Sequence, residues 1–271
     1  MNLLIIGGGT IGEAFARGLS NSEQIKNISI IEPNINRKKY LKKSLNVLIS
    51  NEVRVEDQLK ELVPKSDIIL LSIKPQTFKQ LSTDLQKHIK ISPIIISVMA
   101  GINLEKICSS LKTDNVVRVM PNTPAKIGYG ASIWISKKSL KIESENLINH
   151  ILNSLGISIK TINEEDIDRA TAISGSGPGY VFLIMEIIQK KSELIGLDRN
   201  TAKLLVEQTF LGAANLSKSS GKEFSQLRSE VTSAGGTTEA AINAMINDMD
   251  QILEKGISAA LLKAKELNND N

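Results

Sequence analysis

The sequence contains one cysteine and two histidines among its 271 residues. A single cysteine excludes an internal disulfide and a thiolate cluster for a metal ion, so we expect Cys108 to be a small buried residue and expect no metal site. His88 and His150 lie outside every motif described below, and we expect them on the surface or between packed helices. A reaction catalysed by this chain would therefore proceed without a histidine base.

Aromatic residues make up only 3% of the chain, and long apolar runs are missing. The most apolar helical stretch, 180–188, contains Glu186 and is followed by Gln189 and two lysines, which leaves it short of the ~20 residues of a membrane span. We expect it to be a buried core helix. The net charge of +4 comes from lysines interspersed with acids, and the only aromatic residue in a basic neighbourhood is Tyr40, in the segment 37–43 that we expect to be a solvated helix face. Neither a nucleic acid nor a membrane is the expected partner.

The first apolar run, residues 1–6, ends at three glycines and does not resemble a secretory leader, so we expect a cytoplasmic protein. Further along, short apolar runs alternate with helix-length amphipathic segments, a pattern typical of β-α-β units with a parallel sheet. The predicted strands are 3–6, 28–31, 47–49, 68–72, 94–98, 116–119, 131–135 and 157–159.

The alternation stops after Asn163, and the rest of the chain is predicted to be helical. The predicted helices are 166–173, 180–195, 199–217, 224–230, 237–246 and 249–267. Several are apolar on more than one side, as expected of helices that pack on each other or on a second subunit. We therefore expect an α/β domain over residues 1–162 and an all-helical domain over residues 163–271.

A glycine-rich turn follows the first predicted strand. There Gly7-x-Gly9-x-x-Gly12 leads into a helix predicted over residues 13–19. In such a turn the first glycine permits the tight bend, the second lets a diphosphate approach the backbone, and the third allows close packing of the helix on the strand. The helix start supplies N–H donors. This context predicts a dinucleotide site.

Glu32 closes the second strand about twenty residues after Gly12, where an acid accepts hydrogen bonds from the adenosine ribose of NADH. If Glu32 has this role, Glu32→Ser should shift selectivity toward NADPH. The loop that follows could instead neutralise the 2′-phosphate of NADPH through Asn34, Asn36, Arg37 and Lys38. Both interpretations stay open, and the expected cofactor is NADPH or NADH.

Two further segments end strands at the edge where open α/β sheets bind ligands. In Ser72-Ile73-Lys74-Pro75, the lysine either faces the cofactor phosphates or contributes only its backbone. In Met120-Pro121-Asn122-Thr123-Pro124-Ala125, two prolines three residues apart make a rigid loop, which either supports a nicotinamide ring or is only a stiff turn.

Two glycine-rich helix starts lie in the second half of the chain, residues 173–180 and residues 233–238. Unpaired N–H groups at a helix start can hold a carboxylate. With the two strand-end segments in the same order and at these separations, the chain resembles pyrroline-5-carboxylate reductase over essentially its whole length. The Met-Pro-Asn-Thr-Pro-Ala and Gly-Gly-Thr-Thr elements are the specific part of the resemblance.

The resemblance implies reduction of 1-pyrroline-5-carboxylate to L-proline with NAD(P)H, the last step of proline biosynthesis. It implies a Rossmann-type parallel-sheet domain followed by a helical dimerisation domain, a homodimer with exchanged helices, and dimers that can assemble into larger rings. It also implies that the substrate carboxylate is bound at Ser233, Gly235, Gly236 and Thr237, and that the catalytic Thr238 bonds the ring nitrogen. The cofactor residues, together with the acid and loop considered above, are Gly7, Gly9, Thr10, Ile11, Gly12, Glu32, Asn34, Asn51, Ser72, Ile73, Lys74, Pro75, Met120, Pro121 and Asn122.

The chemistry suits these residues, because an imine nitrogen can be protonated from solvent before hydride transfer. The enzyme then provides mainly proximity, orientation and a hydrogen bond to the nitrogen. The sequence departs from the family pattern at three positions. Ala234 stands where Pro is usual and loosens the loop, Gly179 stands where Ala is usual, and Glu230 stands where an uncharged amide is more frequent and could repel an anion.

Two alternatives remain at this stage. One is a β-hydroxyacid dehydrogenase, which uses a lysine on the first long helix of its second domain, whereas the first lysine after Ser174 is Lys190. The other is a non-catalytic nucleotide-binding regulatory protein on the same scaffold, for which Ala234 and Glu230 would be signs of lost catalysis.

Overall fold

The computed structural model describes residues 1–45, 48–49, 55–89 and 92–270. The strands are β1 Asn2–Ile6, β2 Asn27–Ile31, β3 Leu48–Ile49, β4 Ile68–Leu71, β5 Ile94–Ser97, β6 Val116–Met120, β7 Gly130–Ser136 and β8 Gly156–Lys160. The helices are α1 Thr10–Gly18, α2 Ile35–Ser44, α3 Val55–Leu62, α4 Pro75–His88, α5 Leu104–Leu111, α6 Ile142–Asn153, α7 Glu165–Ala170, α8 Gly177–Leu194, α9 Arg199–Ser220, α10 Phe224–Glu230 and α11 Thr237–Asp270. Short 3-10 helices cover Val63–Lys65 and Thr123–Ile127, and a π-helical turn covers Thr171–Gly175.

The eight strands form one sheet in the order β3-β2-β1-β4-β5-β6-β7-β8. Strands β1 to β6 are parallel, which confirms the predicted Rossmann-type sheet. Each predicted strand is present, and only residue 47 of the third lies outside the described residues. The last two strands differ from a wholly parallel sheet, because β7 runs antiparallel to β6 and β8 runs parallel to β7. The connection from β6 to β7 contains only the Thr123–Ile127 turn, whereas a parallel return needs a crossover of about a dozen residues or more.

Alternate residues of the central strands enter two apolar cores, one on each face of the sheet. Ile5 faces a core that contains Phe15 of α1 and Ile151 of α6. Ile6 faces the other core, which contains Phe78 of α4 and Ile107 of α5. Burial on both faces explains why these strands are continuous apolar runs in the sequence.

The chain divides into two compact units, Met1–Ser176 with Ala260–Asn271, and Gly177–Ala259. Their boundary does not coincide with the domain boundary expected near residue 162. The end of α11 belongs to the first unit, where Gly101 has a φ of 70° and a Cβ on it would lie 2.8 Å from the Leu267 Cβ. A side chain at position 101 would therefore displace the end of α11.

The second unit consists of α8, α9, α10 and most of α11, and it buries very few side chains. Only Ala202 and Val206 are buried in it. The prediction that 180–188 is a buried core helix is wrong for the single chain, since α8 has no buried residue and Phe182 is 64% exposed. Apolar residues all around a helix predict burial, but they do not tell which chain provides the cover.

The predicted break between residues 246 and 249 is also wrong, because α11 continues from Thr237 to Asp270. Asn247 and Asp248 are exposed polar residues within it, and such residues do not interrupt a helix as Gly or Pro would. One helical segment, Glu165–Leu194, is long and apolar enough by length and composition to cross a membrane. The apolar stretch 180–188, which was predicted to be too short for a membrane span, is only one part of this segment.

Candidate active site

The glycine loop after β1 has its polar groups fixed by neighbouring strands. Gly7 has a φ of 103°, its N–H donates to the Ile31 carbonyl at 2.9 Å, and its carbonyl accepts from the Ser72 hydroxyl at 2.5 Å. A Cβ at Gly7 would lie 2.5 Å from the Ser72 carbonyl oxygen. Glycine is therefore required where the first glycine of the motif was predicted to permit a tight bend.

The next two peptides are held by side chains. The Gly8 N–H donates to Glu32 Oε2 at 3.0 Å, and the Gly8 carbonyl accepts from Arg37 Nε at 2.6 Å. The Gly9 carbonyl accepts from Arg37 Nη2 at 3.2 Å and from the Glu13 N–H at 2.9 Å. The carbonyl groups of Gly7, Gly8 and Gly9 are thus all bonded to the protein.

The N–H groups that remain at this loop point to an anion site. Within the described residues, those of Gly9, Thr10 and Ile11 have no protein acceptor. No atom lies within 4 Å of a Cβ placed at Gly9, whereas a Cβ at Gly12 would lie 2.0 Å from the Gly7 carbonyl oxygen. The second glycine of the motif is open to a ligand and the third packs the helix on the turn, as expected of a diphosphate loop.

A basic cluster lies beside the start of α1. Glu13 forms ion pairs with Arg17 and Arg37, and the Arg37 guanidinium lies 4.9 Å from the centre of the Tyr40 ring. Burial acts to raise the pKa of Glu13, but the hydrogen bonds from the two arginines outweigh it and hold that pKa below its ordinary value. A cavity of about 250 Å³ is lined by Thr10, Glu13, Ala14, Arg17, Arg37, Tyr40 and Lys126.

Glu32 is buried, with 8% of its surface exposed. Its Oε2 accepts from the Gly8 N–H and its Oε1 accepts from the Asn34 N–H at 2.8 Å. Asn34 caps α2, because its Oδ1 accepts from the Arg37 N–H at 2.9 Å. The predicted ribose acceptor therefore already joins the glycine loop to the start of α2. Asn51, also predicted to bind the cofactor, lies outside the described residues.

The segment after β4 packs against the same loop. The Ile73 Cγ2 atom would lie 3.1 Å from a Cβ at Gly7, and the Ser72 hydroxyl bonds the Gly7 carbonyl. Lys74 is the N-cap of α4 and Pro75 is its first residue, a position that suits proline. Lys74 has no ion-pair partner within the described residues. Its ammonium group is exposed to solvent.

The loop after β6 contacts the π-helical turn Thr171–Gly175. The Asn122 side chain donates to the Ser174 carbonyl at 3.0 Å and accepts from the Ala131 N–H at 2.9 Å. The Met120 Cε atom would lie 2.9 Å from a Cβ at Gly175. The structure thus joins two motifs that the sequence analysis treated separately, and π turns occur frequently at functional sites.

Arg118 is a buried charge that the sequence analysis did not single out as a residue with its own role. It is 3% exposed and pairs with Glu164 at 2.8 Å and with Asp168 at 3.5 Å. Its Nη2 also donates to Asn268 Oδ1 at 3.0 Å. The cluster ties β6 to α7 and to the end of α11. An arginine within the apolar β6 and two acids four residues apart were the available signal.

The Ser233–Thr238 loop lies in the second unit. Gly235 has a φ of 72° and its N–H donates to Glu239 Oε2 at 2.8 Å. The Gly236 N–H donates to the Ser233 carbonyl at 3.0 Å. The N–H groups of Thr237, Thr238 and Glu239 have no acceptor within the described residues. Glu239 holds Gly235 in a loop that Ala234 leaves without the restraint of a proline.

Several side chains raised by the sequence have structural partners away from these loops. Glu230 pairs with Lys222 at 2.5 Å, and Lys190 pairs with Glu186 at 2.5 Å. His150 bonds the Ser22 hydroxyl at 2.8 Å, as expected of a packing residue. Burial raises the pKa of the Cys108 thiol, which keeps it protonated. Among the described residues, no group of three or more His, Cys, Asp or Glu is placed to hold a metal ion.

The Rossmann-type sheet, with N–H groups at its glycine loop that lack acceptors among the described residues, indicates a dinucleotide-binding protein. Residues 2–101 accordingly match the model of a family described as NADP oxidoreductase, coenzyme F420-dependent. Residues 164–267 match the model of pyrroline-5-carboxylate reductase dimerisation. A pyrroline-5-carboxylate reductase of Pseudomonas aeruginosa is 38% identical over 76% of this chain and 77% of its own length. The chain belongs to the pyrroline-5-carboxylate reductase family.

Two solved structures are similar over almost the whole chain. A pyrroline-5-carboxylate reductase from Coxiella burnetii has a TM-score of 0.89 at 31% identity and covers 98% of each chain. A pyrroline carboxylate reductase from Plasmodium falciparum, solved with NADP bound, has a TM-score of 0.84 at 30% identity and covers 99% of this chain and 98% of its own. The match to the dimerisation family indicates a homo-oligomer.

Proposed function

We propose that this chain reduces 1-pyrroline-5-carboxylate to L-proline with NADPH or NADH, as the last step of proline biosynthesis in the cytoplasm. The observation that carries the proposal is the start of α11. There, three consecutive N–H groups that have no acceptor in the described part of the chain stand next to the hydroxyl-bearing side chains of Thr237 and Thr238. A helix start of this kind suits a small carboxylate.

The cofactor fits the glycine loop on the geometry of this chain. The N–H groups of Gly9, Thr10 and Ile11 would hold the diphosphate, and the exposed Lys74 would add a positive charge. Ser72, Ile73 and Pro75 would shape the loop, and Met120, Pro121 and Asn122 would support the nicotinamide side. When bound, NAD(P)H supplies the hydride.

The substrate would be oriented by the Ser233–Thr238 loop. The Gly235 N–H already donates to Glu239, so the substrate carboxylate would be held by the N–H groups of Thr237 and Thr238. The hydrogen bond from the Gly236 N–H to the Ser233 carbonyl would fix the turn. The Thr238 hydroxyl would bond the ring nitrogen, whose charge changes during hydride transfer. No histidine is needed, because the imine can be protonated from solvent and orientation supplies the rate advantage.

We further propose a homodimer through the C-terminal helices, with rings of dimers as the larger assembly. The exposed apolar side chains of α8, such as Phe182 and Leu183, support this proposal. We also propose that the domain boundary lies near residue 162, because the match to the dimerisation family begins at residue 164. Lys190 does not support the β-hydroxyacid dehydrogenase alternative, because its ammonium group pairs with Glu186.

The assay that tests the proposal mixes the purified protein with 1-pyrroline-5-carboxylate and either NADH or NADPH and follows the loss of reduced-nicotinamide absorbance. We expect oxidation of at least one cofactor and formation of proline. A matched reaction without the imine controls for background oxidation. Failure to oxidise either cofactor, with a protein that is folded and assembled, would contradict the proposed reaction.

A further inference from the structure

We propose that Glu32 is a positioning residue, which fixes the glycine loop for NADH and NADPH alike instead of selecting between them. This inference rests on the proposed cofactor site. It replaces the expectation that Glu32 accepts hydrogen bonds from the ribose of NADH. The orientation of each peptide in the loop supports this role.

Both oxygens of the Glu32 carboxylate are bonded to the protein backbone. One accepts the N–H of Gly8 in the glycine loop and the other accepts the N–H of Asn34 before α2, and the residue is 8% exposed. A Cβ at Gly8 would lie 3.2 Å from Glu32 Oε2 and 2.5 Å from the Leu41 Cδ1 atom. The carboxylate is therefore enclosed between the loop and α2, and it joins these two segments by charge-assisted hydrogen bonds.

The peptide between Gly7 and Gly8 is fixed at both ends. In a trans peptide the carbonyl and the N–H point in opposite directions. The Gly7 carbonyl accepts from the Ser72 hydroxyl, and the N–H of the same peptide donates to Glu32. Ser72 and Glu32 thus determine the rotation of this peptide, and the position from which the next one starts.

The following two peptides are fixed through their carbonyl groups only. Arg37 donates to the carbonyls of Gly8 and Gly9, and the Glu13 N–H also donates to the latter. Because the N–H of each peptide points away from its carbonyl, the Gly9 and Thr10 N–H groups are directed away from Arg37. These donors have no acceptor among the residues that the structure describes, so the contacts of Glu32 and Arg37 prearrange them for a diphosphate.

Both nicotinamide cofactors carry this diphosphate, and the 2′-phosphate that distinguishes them is not part of the interaction. Loss of the Glu32 carboxylate should therefore raise the Kd values of NADH and NADPH by the same factor. A lost hydrogen bond to a charged group corresponds to about a tenfold increase in Kd. A ribose acceptor would behave differently, since its removal raises the Kd for NADH and lowers the Kd for NADPH.

The experiment measures the Kd of each cofactor by calorimetry for the full-length wild type, Glu32→Ser and Glu32→Gln, with Glu143→Ser as the control at an exposed acid. We expect Glu32→Ser to raise both Kd values about tenfold with their ratio unchanged. Glu32→Gln keeps one acceptor oxygen, so its Kd values should lie between those of the wild type and Glu32→Ser. The Kd values of the control variant should match those of the wild type. Opposite changes for NADH and NADPH, or no change for either, would overturn the proposal.

A second readout needs no cofactor. In the cofactor-free proteins, amide hydrogen exchange of the peptide that covers residues 7–9 should be faster in Glu32→Ser than in the wild type, because the Gly8 N–H has lost its acceptor. Unchanged exchange there would also overturn the proposal, and unchanged protection of the β4 and β5 strands controls for correct folding. If the wild type binds neither cofactor, the proposed function fails, while the exchange result still decides whether Glu32 fixes the loop.

Discussion

The two compact units contain similar apolar side chains and bury them very differently. In the first unit Phe15, Phe78 and Trp134 are completely or almost completely enclosed by the sheet and its helices. In the second unit Phe182 and Phe224 are largely exposed, although they belong to regular helices. The first unit therefore carries apolar contacts that stabilise it, whereas the second leaves most of its apolar side chains exposed.

This difference explains why the second half of the chain is apolar without having a core of its own. The exposed apolar side chains of the second unit include Val181, Phe182, Leu183, Ile187, Leu204, Leu205, Leu211, Met245, Ile246, Met249, Ile252 and Leu253. A monomer in water rarely exposes so large a set, and the region matches a dimerisation family. We therefore expect mutations in the first unit to act on folding and mutations in the second to act on assembly.

The largest effect on stability should come from Phe15→Ala in the first unit. Phe15 is enclosed by the same core as Trp134, and removal of a buried Phe side chain costs about 3–5 kcal/mol. Trp134 is the only tryptophan, so its fluorescence reports unfolding of this core in denaturant. Tyr129→Ala, at an exposed position of the same unit, is the control. Equal loss of stability in both variants would show that the core is not where the structure places it.

The next effect concerns assembly. Phe182→Glu should raise the Kd of the homo-oligomer by roughly 30- to 1000-fold, the range for loss of a central interface residue, because a charge would face an apolar partner. Sedimentation velocity over a range of concentrations measures it. Ile142→Glu, at an exposed apolar residue of the first unit, should leave assembly unchanged. Assembly that resists Phe182→Glu would place the interface elsewhere.

A smaller effect is expected at Thr238, where a substitution in the second unit should change catalysis and leave assembly and stability unchanged. Thr238→Ala should lower kcat/KM by about 1–3 kcal/mol, the value of a lost hydrogen bond to a charged group, with assembly and Tm unchanged. Thr83→Ala, which removes an exposed hydroxyl bonded to a helix carbonyl in the first unit, is the matched control. Steady-state kinetics with varied imine would reject the role of Thr238 if the two variants behave alike.

The smallest effect is expected at Gly179, and Gly12 provides the contrast. A Cβ at Gly12 would lie 2.0 Å from the Gly7 carbonyl oxygen, whereas no atom lies within 4 Å of a Cβ at Gly179. Gly179→Ala should therefore raise stability by up to about 1 kcal/mol through helix propensity, and Gly12→Ala should disrupt the loop. Thermal unfolding measures both. Destabilisation by Gly179→Ala would indicate that a partner subunit packs closely on that residue.

The sequence predicted the sheet well because its central strands are buried on both faces and stand out as apolar runs. It did not predict the reversal of β7 and β8, since strand direction follows from the length of the connection and not from periodicity. The continuity of α11 was missed because Asn247 and Asp248 resembled a break. The burial of α8 was misjudged because the pattern of apolar residues does not identify which chain covers them.

At the candidate site, the glycine loop was predictable because its residues are adjacent in the sequence. The contacts that join distant residues were not, such as Asn122 with Ser174 and Arg118 with Asn268. Glu32 shows the same limit at shorter range. Its position at the end of β2 suggested a ligand contact, whereas the structure shows that both of its oxygens already accept backbone N–H groups.

Equilibrium unfolding at several protein concentrations tests most directly whether the second unit depends on a partner copy. Helix content is followed by circular dichroism and the first unit by Trp134 fluorescence. We predict that the midpoint of the helix signal rises with protein concentration, because assembly stabilises the folded state, and that Phe182→Glu removes this dependence. A chain that is monomeric throughout the range, with full helix content and a midpoint independent of concentration, would contradict the account.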